Sequence, residues 1–243
     1  MKIANSIRKA VYDLEQGERE SAMLHACNAV DGTAKKIYPL LGNKGRFTRF
    51  LRENYSILGP MAAPGHDLHQ TYYPVRVKHP GTPGGKADMA EIIYGIHRCC
   101  HAHGDELPDG YSLIPDVGNN SKFVFTRTAV AQGQIRLSDR VIPGLVAVVV
   151  LSPANKKQAH AQLNGYFLTY TGASNNTKKF IINQWWGRAR DFAAIVAQDP
   201  VFDLGALDLT VLGSDRPPHN ISLDRGPEND LIEFLGSLGQ RED

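Results

Sequence analysis

The sequence has few cysteines and no apolar segment of membrane-spanning length. Its three cysteines, Cys27, Cys99 and Cys100, are too few and too unevenly spaced for a disulfide framework, which favours a reducing cytoplasm. The longest apolar run, GLVAVVVL at 144–151, is far shorter than the roughly 20 residues that a transmembrane helix needs. The N-terminal segment lacks the apolar core and cleavage site of a signal peptide. These absences argue against export and against a membrane partner, and they predict a cytoplasmic protein.

An excess of charge of either sign is also missing. The 27 lysines and arginines nearly balance the 25 aspartates and glutamates, for a formal net charge of +2. Such a small charge does not identify a nucleic-acid-binding protein, so that function has to rest on local clusters. Apolar residues make up 42% of the 243 residues and charged residues 21%, which is typical of a folded globular protein.

Helical periodicity dominates the first two thirds of the chain. Apolar side chains recur at helical spacing in three segments, residues 3–14, 20–38 and 44–58. Pro39 marks the end of the second segment, and Gly59 with Pro60 is predicted to end the third. The stretch 59–87 holds five prolines and is predicted to be a long irregular loop.

A further helix is predicted to begin at Asp88 and to end at Gly104. Asp88 is a favourable N-cap, and Glu91 three residues later completes the pattern of a capping box. Gly104 supplies the C-terminal stop. The apolar seam of this helix consists of Met89, Ile92, Ile93, Ile96 and Cys100.

Short strands and one more helix are predicted after it. KFVFTRT at 122–128 and GQIRL at 133–137 have the composition of strands. RVIPGLVAVVVLS at 140–152 is rich in β-branched residues, so a helix and a buried strand both remain open. Pro143 fits the first turn of a helix better than the middle of a central strand.

The C-terminal third changes to a period of two. GYFLTYTG and KKFIINQWW are joined by ASNNT, which predicts a β-hairpin with Asn175 and Asn176 at its tip. Residues 199–229 are rich in Asp, Pro and Gly and are predicted to be irregular.

The segment 97–103, HRCCHAH, carries the densest group of candidate ligands, acids, bases and cations. On a helix, His97 with His101 and Cys99 with His103 form two i, i+4 pairs. The two pairs point about 200° apart around the helix, so they cannot share one ion. No other His or Cys shows a metal-binding spacing with this group, so neither a metal nor another cofactor is predicted.

The same segment resembles the signature of the HEPN family. Arg98, four intervening residues and His103 followed by Gly104 lie at the end of a predicted helix in a small helical bundle. The alanine-rich segment 16–39 is similar in style to the early helices of HEPN domains. The resemblance covers about residues 1–160 and leaves the C-terminal region outside.

The resemblance implies a bundle that commonly dimerises and places the Arg and His of two protomers around one cleft. Many HEPN proteins are metal-independent endoribonucleases of toxin–antitoxin or antiviral defence systems, and others are non-catalytic RNA-binding or scaffold modules. By this resemblance Arg98 would stabilise the scissile phosphate and His103 would act as general acid or base. Cys99 departs from the family, in which that position is often polar.

Helix geometry qualifies these roles. Arg98 falls about 180° from Met89, opposite the apolar seam, where it is free to meet a partner or a ligand. His103 falls near the seam, whereas His101 lies about 60° from Arg98 and is the rival catalytic candidate. His103 is preferred because Gly104 ends the helix and allows its last turn to loosen. In the alternative interpretation the histidine only satisfies carbonyl groups at the helix end and Arg98 is solvated.

A basic stripe adds a candidate RNA-binding surface. Lys44, Arg46, Arg49 and Arg52 follow helical spacing, as contacts with successive phosphates require, although a solvated helix face has the same pattern.

Two further features are weaker. Asn28 and Asp31 lie on one side of the second helix and could orient an active-site histidine. In QWWGRARDF, two tryptophans beside two arginines could stack bases, but packing is the preferred interpretation.

The sequence therefore predicts a mainly α protein. A HEPN-like helical domain at 1–162 is followed by a β-hairpin and irregular region at 163–243, which is expected either to pack on the bundle or to stay separate. The predicted function is a metal-independent, RNA-acting endoribonuclease of toxin–antitoxin or antiviral defence type; the alternative is a non-catalytic module for dimerisation or for binding RNA or a partner. The predicted partners are RNA, a second copy of the chain in a homodimer, and an antitoxin or defence-system protein.

Overall fold

The computed structural model describes residues 2–75, 77, 86–100, 107, 110–115, 128–131, 133–174 and 176–201. This part of the protein is mainly α, with two small β-sheets. The helices are α1 (Ile3–Glu15), α2 (Arg19–Ile37), α3 (Asn43–Glu53), α4 (Tyr55–Ala62), α5 (Met89–Ile92), α6 (Val141–Leu151) and α7 (Ala189–Gln198). The strands are β1 (Tyr111–Ile114), β2 (Ala129–Ala131), β3 (Gln134–Ser138), β4 (Phe167–Thr171) and β5 (Thr177–Ile181).

Helix α2 lies at the centre of the bundle, where it contacts α1, α3 and α6. Its inner surface consists largely of small side chains, among them Ala22, Ala26, Ala29 and Ala34, all fully buried. Small residues let neighbouring helices approach closely, and this explains why an alanine-rich segment forms the middle of the core.

The helix predicted over 44–58 is divided into α3 and α4, which meet at Asn54. The Asn54 side-chain amide donates to the Phe50 carbonyl at 2.8 Å, while the Asn54 carbonyl accepts from the amide of Leu58 at 2.9 Å. Helical hydrogen bonding therefore resumes after a single residue, and α3 and α4 form a nearly continuous run.

The prediction that Gly59 and Pro60 end this run is wrong, because α4 continues through both to Ala62. Pro60 lacks an N–H and so removes one hydrogen bond of the helix. The end is closed by the Ala63 amide, which donates to the Gly59 carbonyl at 2.8 Å. The loop predicted over 59–87 thus begins after α4.

The predicted N-cap of α5 is confirmed. The Asp88 side chain accepts a hydrogen bond from the Glu91 amide at 2.9 Å, as in a capping box. The α-helical geometry then gives way to a π-helical segment, Ile93–Arg98, which the sequence pattern did not predict. Most of the predicted seam is buried, namely Met89, Ile92, Ile93 and Ile96.

The apolar run at 140–152 forms a helix, α6, which decides between the two alternatives. Pro143 lies in its first turn, where no intrahelical donor is lost. The predicted strand in GQIRL is confirmed as β3, which pairs in parallel with β1 and antiparallel with β2. Strand β1 was not predicted, and 122–127 lies outside the described residues.

The predicted hairpin is confirmed. Strands β4 and β5 pair antiparallel, with Thr171 opposite Thr177; Asn176 lies in the turn and Asn175 lies outside the described residues. Helix α7 follows, although no helix was predicted there. The aromatic residues Tyr170, Trp186 and Phe192 belong to the same buried cluster as the side chains of the bundle.

In the described part of the chain, none of the helices is long and apolar enough to cross a membrane.

Candidate functional site

Arg98 lies in a cluster of opposite charges centred on Asp31. The Arg46 guanidinium donates from Nε to Asp31 Oδ1 at 3.0 Å, and Arg98 Nη2 lies 3.7 Å from Asp31 Oδ2. The three side chains are 12–23% exposed, so the cluster borders solvent while it is largely covered. Helices α2 and α3 and the π segment each contribute one of them, and the cluster is therefore a product of the tertiary fold.

The Arg98 guanidinium lies against the Tyr94 ring, which in turn packs against a second aromatic ring. Its Cζ lies 5.5 Å from the centroid of the Tyr94 ring, and the Tyr94 ring packs at 5.4 Å against Phe47 of α3. Burial raises the pKa of the Tyr94 phenol, Cys99 adds to this effect, and the Arg98 guanidinium partly opposes it. Tyr94 is therefore neutral at physiological pH and acts as a flat surface under the cation.

The position of Arg98 corrects the helical-wheel prediction in one respect. Arg98 was expected to be free on the face opposite Met89, but it contacts Asp31 of its own chain. A π-helix has more residues per turn than an α-helix, so each residue of the π segment advances through a smaller angle. The α-helical wheel therefore does not give the direction of Arg98, whose guanidinium contacts Asp31 of α2.

Cys27 lies in the core next to the cluster of Arg98, Asp31 and Arg46. It is fully buried, and burial raises the pKa of its thiol although the nearby Arg98 guanidinium acts in the opposite direction. A neutral, buried thiol packs as a small apolar group. Among the residues that the structure describes, no three His, Cys, Asp or Glu side chains come together as a metal site requires.

The two histidines predicted to act with Arg98, His101 and His103, lie outside the described residues, as does Gly104. Their roles stay predictions. His97 is fully buried, so it does not belong to the exposed edge of the cluster.

The four cations of the basic stripe each lie beside a carboxylate. Arg46 binds Asp31. Arg49 contacts Glu53 at 2.8 Å, and both side chains are about half exposed. Glu53 also accepts a hydrogen bond from the Tyr38 hydroxyl. This stripe is thus neutralised residue by residue within the chain.

The other two stripe residues neutralise buried carboxylates at the start of α5. Arg52 Nε lies 2.6 Å from Asp88 Oδ2, and its Nη2 lies 3.4 Å from Glu91 Oε1. Lys44 Nζ lies 3.9 Å from the same Glu91 oxygen. Asp88 and Glu91 are 5% and 1% exposed, so the two cations offset charges that water scarcely reaches.

Trp185 and Trp186 pack within the protein, in agreement with the preferred interpretation of the QWWGRARDF segment. Trp186 is buried, and the Trp185 ring lies 4.5 Å from the Phe180 ring. The Arg188 guanidinium covers the Trp185 ring at 4.4 Å and binds Asp191 at 2.6 Å.

Sequence reasoning missed a cavity between α4, residues 65–69 and the end of α7. It has a volume of about 260 Å³ and its lining includes Tyr55, Leu68, His69 and Val196. The rings of Tyr55 and His69 meet edge to face, with centroids 5.2 Å apart. No periodicity signals this cavity, because residues distant in the sequence form its walls.

The sequence also did not predict the polar contacts around His25 on α2. His25 Nε2 lies 3.6 Å from Asp13 Oδ2, an oxygen that also accepts a 2.6 Å hydrogen bond from the Ser21 hydroxyl. His25 Nδ1 is buried and has no hydrogen-bond partner among the described atoms. Burial lowers the pKa of His25 against the attraction of Asp13, and Lys9 and Arg8 act in the same direction as burial.

We expect this environment to make the fold sensitive to acid. The folded protein releases the His25 proton more readily than the unfolded chain, whose histidines titrate near pH 6.5. Titration of His25 therefore does not reduce the free energy of unfolding above about pH 6.5, and it reduces this free energy as the pH falls below that value. His25→Gln should lose less of its urea midpoint than the wild type between about pH 7.5 and 5.5; equal losses would contradict this assignment.

The described residues define a mainly α protein with a pair of arginines gathered on one carboxylate. The chain matches the model of the Rv1289 family over residues 2–211 and belongs to that family. It is 36% identical over 209 residues to "Uncharacterized protein Rv1289" of Mycobacterium tuberculosis, a match that covers 85% of this chain and 92% of that protein. "Uncharacterized protein Mb1320" of Mycobacterium bovis has the same identity and coverage. No solved structure matches the chain.

Proposed function

We propose that this protein acts on RNA as a metal-independent endoribonuclease and that its helical part is a HEPN-like bundle. The observation that carries the proposal is the convergence of Arg98 and Arg46 on Asp31 at the solvent border. Two guanidinium groups fixed a short distance apart provide planar, charge-assisted donors for a single oxyanion. The arrangement therefore suits a phosphodiester.

In the proposed reaction a phosphate of the RNA takes over the Arg98 guanidinium from Asp31. The Arg98–Asp31 separation of 3.7 Å is long for a hydrogen bond, so this contact is the weaker of the two on Asp31. Contact with the Tyr94 ring keeps the Arg98 guanidinium in position while the phosphate replaces the Asp31 carboxylate. Arg46 donates to Asp31 from Nε at 3.0 Å, and its other N–H groups contact the RNA phosphate.

The proton transfers fall to a histidine of the segment after Arg98. His103 removes the proton of a ribose 2′-hydroxyl, whose oxygen attacks the adjacent phosphorus, and the bond to the 5′-oxygen breaks. The products are a 2′,3′-cyclic phosphate and a 5′-hydroxyl, with the proton returned to the leaving oxygen. His101 is the rival for this role. Arg98 stabilises the charge that develops on the phosphate.

The proposal extends to the setting of the reaction. The protein works as a homodimer in the cytoplasm, where the Arg and His of two protomers share one cleft. An antitoxin or another defence-system protein controls it. The stripe of Lys44, Arg46, Arg49 and Arg52 contacts the RNA backbone, with phosphates competing for cations that now bind carboxylates.

The test is RNA cleavage in excess EDTA. Wild-type protein is expected to cut labelled RNA, and Arg98→Ala and His103→Ala are each expected to lose 100-fold or more of that activity. Arg19→Ala is the matched control, because Arg19 also binds one largely buried aspartate, Asp139, at 2.7 Å, away from the cluster. Absent cleavage, or cleavage that survives both substitutions, would overturn the nuclease; loss in EDTA alone would point to a metal.

A second candidate function is a non-catalytic module for dimerisation or for binding RNA or a partner. One observation favours it: Arg98 and all four stripe cations lie beside carboxylates of their own chain. Ion pairs of this kind reduce the charge available to a phosphate backbone. Protein that binds RNA or itself, but leaves the RNA intact under every metal condition, would support this function.

A further inference from the structure

The cavity beside α4 has the properties of a site for one flat ring. Its volume of about 260 Å³ lies below the range of drug-sized pockets, so it accommodates one ring system. The exposed His69 ring, which contacts the buried Tyr55 ring edge to face, forms an aromatic wall. The aliphatic side of the lining is supplied by Pro60, Leu68, Val196, Pro200 and Val201.

Polar groups of the cavity match the edge of such a ring rather than a charged group. Besides Tyr55 and His69, the lining has the polar side chains of Ser56, His66 and Asp67. None of the described residues that line the cavity is a lysine or an arginine. An anionic ligand would lie beside the Asp67 carboxylate, so the proposed ring is neutral.

Two cations lie on α3, the helix that precedes the cavity lining in the chain. Arg52 precedes Ser56 by four residues, and hydrogen bonding across Asn54 keeps α3 and α4 in a nearly continuous helical run. Positions four residues apart face the same side of such a run. Arg52 is 37% exposed and Arg49 is 58% exposed, so both remain accessible to solvent beside their carboxylate partners.

We propose that this cavity is a nucleobase-binding pocket, which rests on the proposed action on RNA and holds one base of that substrate. The base stacks against the aromatic wall and forms hydrogen bonds through its edge at the mouth. The sugar and phosphates remain outside and follow α3. Aromatic stacking with backbone contacts to cations is the usual way in which proteins hold single-stranded RNA.

The test uses the full chain and the four nucleosides without phosphate, observed by saturation-transfer NMR. At least one nucleoside is expected to bind in the millimolar range. Val196→Phe, which fills the cavity, should weaken binding at least tenfold, and Ser56→Trp, which covers its mouth, provides a second blocked variant. Ala194→Phe is the control, because residue 194 is exposed on the other side of α7. Circular dichroism identifies the variants that are folded.

The outcomes separate this pocket from the nuclease. No nucleoside binding, unchanged binding in both blocked variants, or equally strong binding of indole would overturn the nucleobase pocket. Nucleoside binding retained in Arg98→Ala, combined with no RNA cleavage by the wild type, would keep the pocket and overturn the nuclease. Cleavage without nucleoside binding would do the reverse.

Discussion

Gly144→Val is expected to lower the free energy of unfolding by about 3 kcal/mol or more, because α6 and α4 touch at this glycine. A Cβ at residue 144 would lie 2.7 Å from the Ala62 Cβ and 3.3 Å from the Ala62 Cα. It would also lie 3.1 Å from a methyl of Leu58. Two of these neighbours are on or next to the backbone and cannot turn away, so the helices would have to separate. Urea unfolding followed by circular dichroism measures the loss.

A methyl exchange between residues 144 and 62 tests whether these two positions touch. Gly144→Ala alone should destabilise the fold, whereas Gly144→Ala combined with Ala62→Gly should recover most of the loss, since the pair then carries one methyl again. Gly45→Ala is the control, because a Cβ there meets nothing within 4 Å and a helical alanine is favoured over glycine. Equal stability of Gly144→Ala and the wild type would disprove close contact of the two helices.

The structural elements that could be predicted from the sequence are those determined by residues close together in the chain. The cap at Asp88, the first-turn position of Pro143 and the hairpin pattern each act over a few residues, and the structure has all three. Helix α7 was missed although its alanine-rich sequence, ARDFAAIVAQ, has a high helix propensity. The preceding QWWGR stretch carries a pattern for packing or base stacking and no signal for a helix.

The parts that escaped prediction depend on contacts between distant residues. The π segment changes the direction of Arg98, and a helical wheel assumes α-helical geometry throughout. Arg46 and Asp31 were singled out separately, one for RNA and one for orienting a histidine, but neither pattern shows that they bind each other. The cavity beside α4 has walls from three segments, so only the fold reveals it.

Arg52→Ala is expected to lower the free energy of unfolding by about 2–3 kcal/mol. Arg52 lies 2.6 Å from Asp88 and 3.4 Å from Glu91, two carboxylates that are almost fully buried. Lys44 also lies beside Glu91, but farther away, at 3.9 Å. A buried carboxylate that loses its partner retains the cost of its desolvation, and this cost is reduced here because Arg52 itself is partly exposed. The measurement is urea unfolding near neutral pH.

Two further variants separate the loss of a countercharge from the loss of packing. Combining Arg52→Ala with Glu91→Gln removes one buried charge together with its partner, so the double variant should be more stable than Arg52→Ala alone. Arg52→Lys keeps the charge and loses the planar fork, so it should fall between Arg52→Ala and the wild type. If the double variant is less stable than Arg52→Ala, packing by the arginine stem carries the effect instead.

Comparison with Arg49 then distinguishes support of the fold from contact with RNA. Arg49 lies on the same helix, but its contact with Glu53 is exposed, so Arg49→Ala should leave the unfolding midpoint close to that of the wild type. If the stripe binds phosphates, Arg49→Ala should still weaken RNA binding and make it less dependent on salt. Arg52→Ala would weaken both stability and binding. RNA binding unchanged in Arg49→Ala would limit the stripe to its role in neutralising carboxylates, and Arg52 would then serve the start of α5 alone.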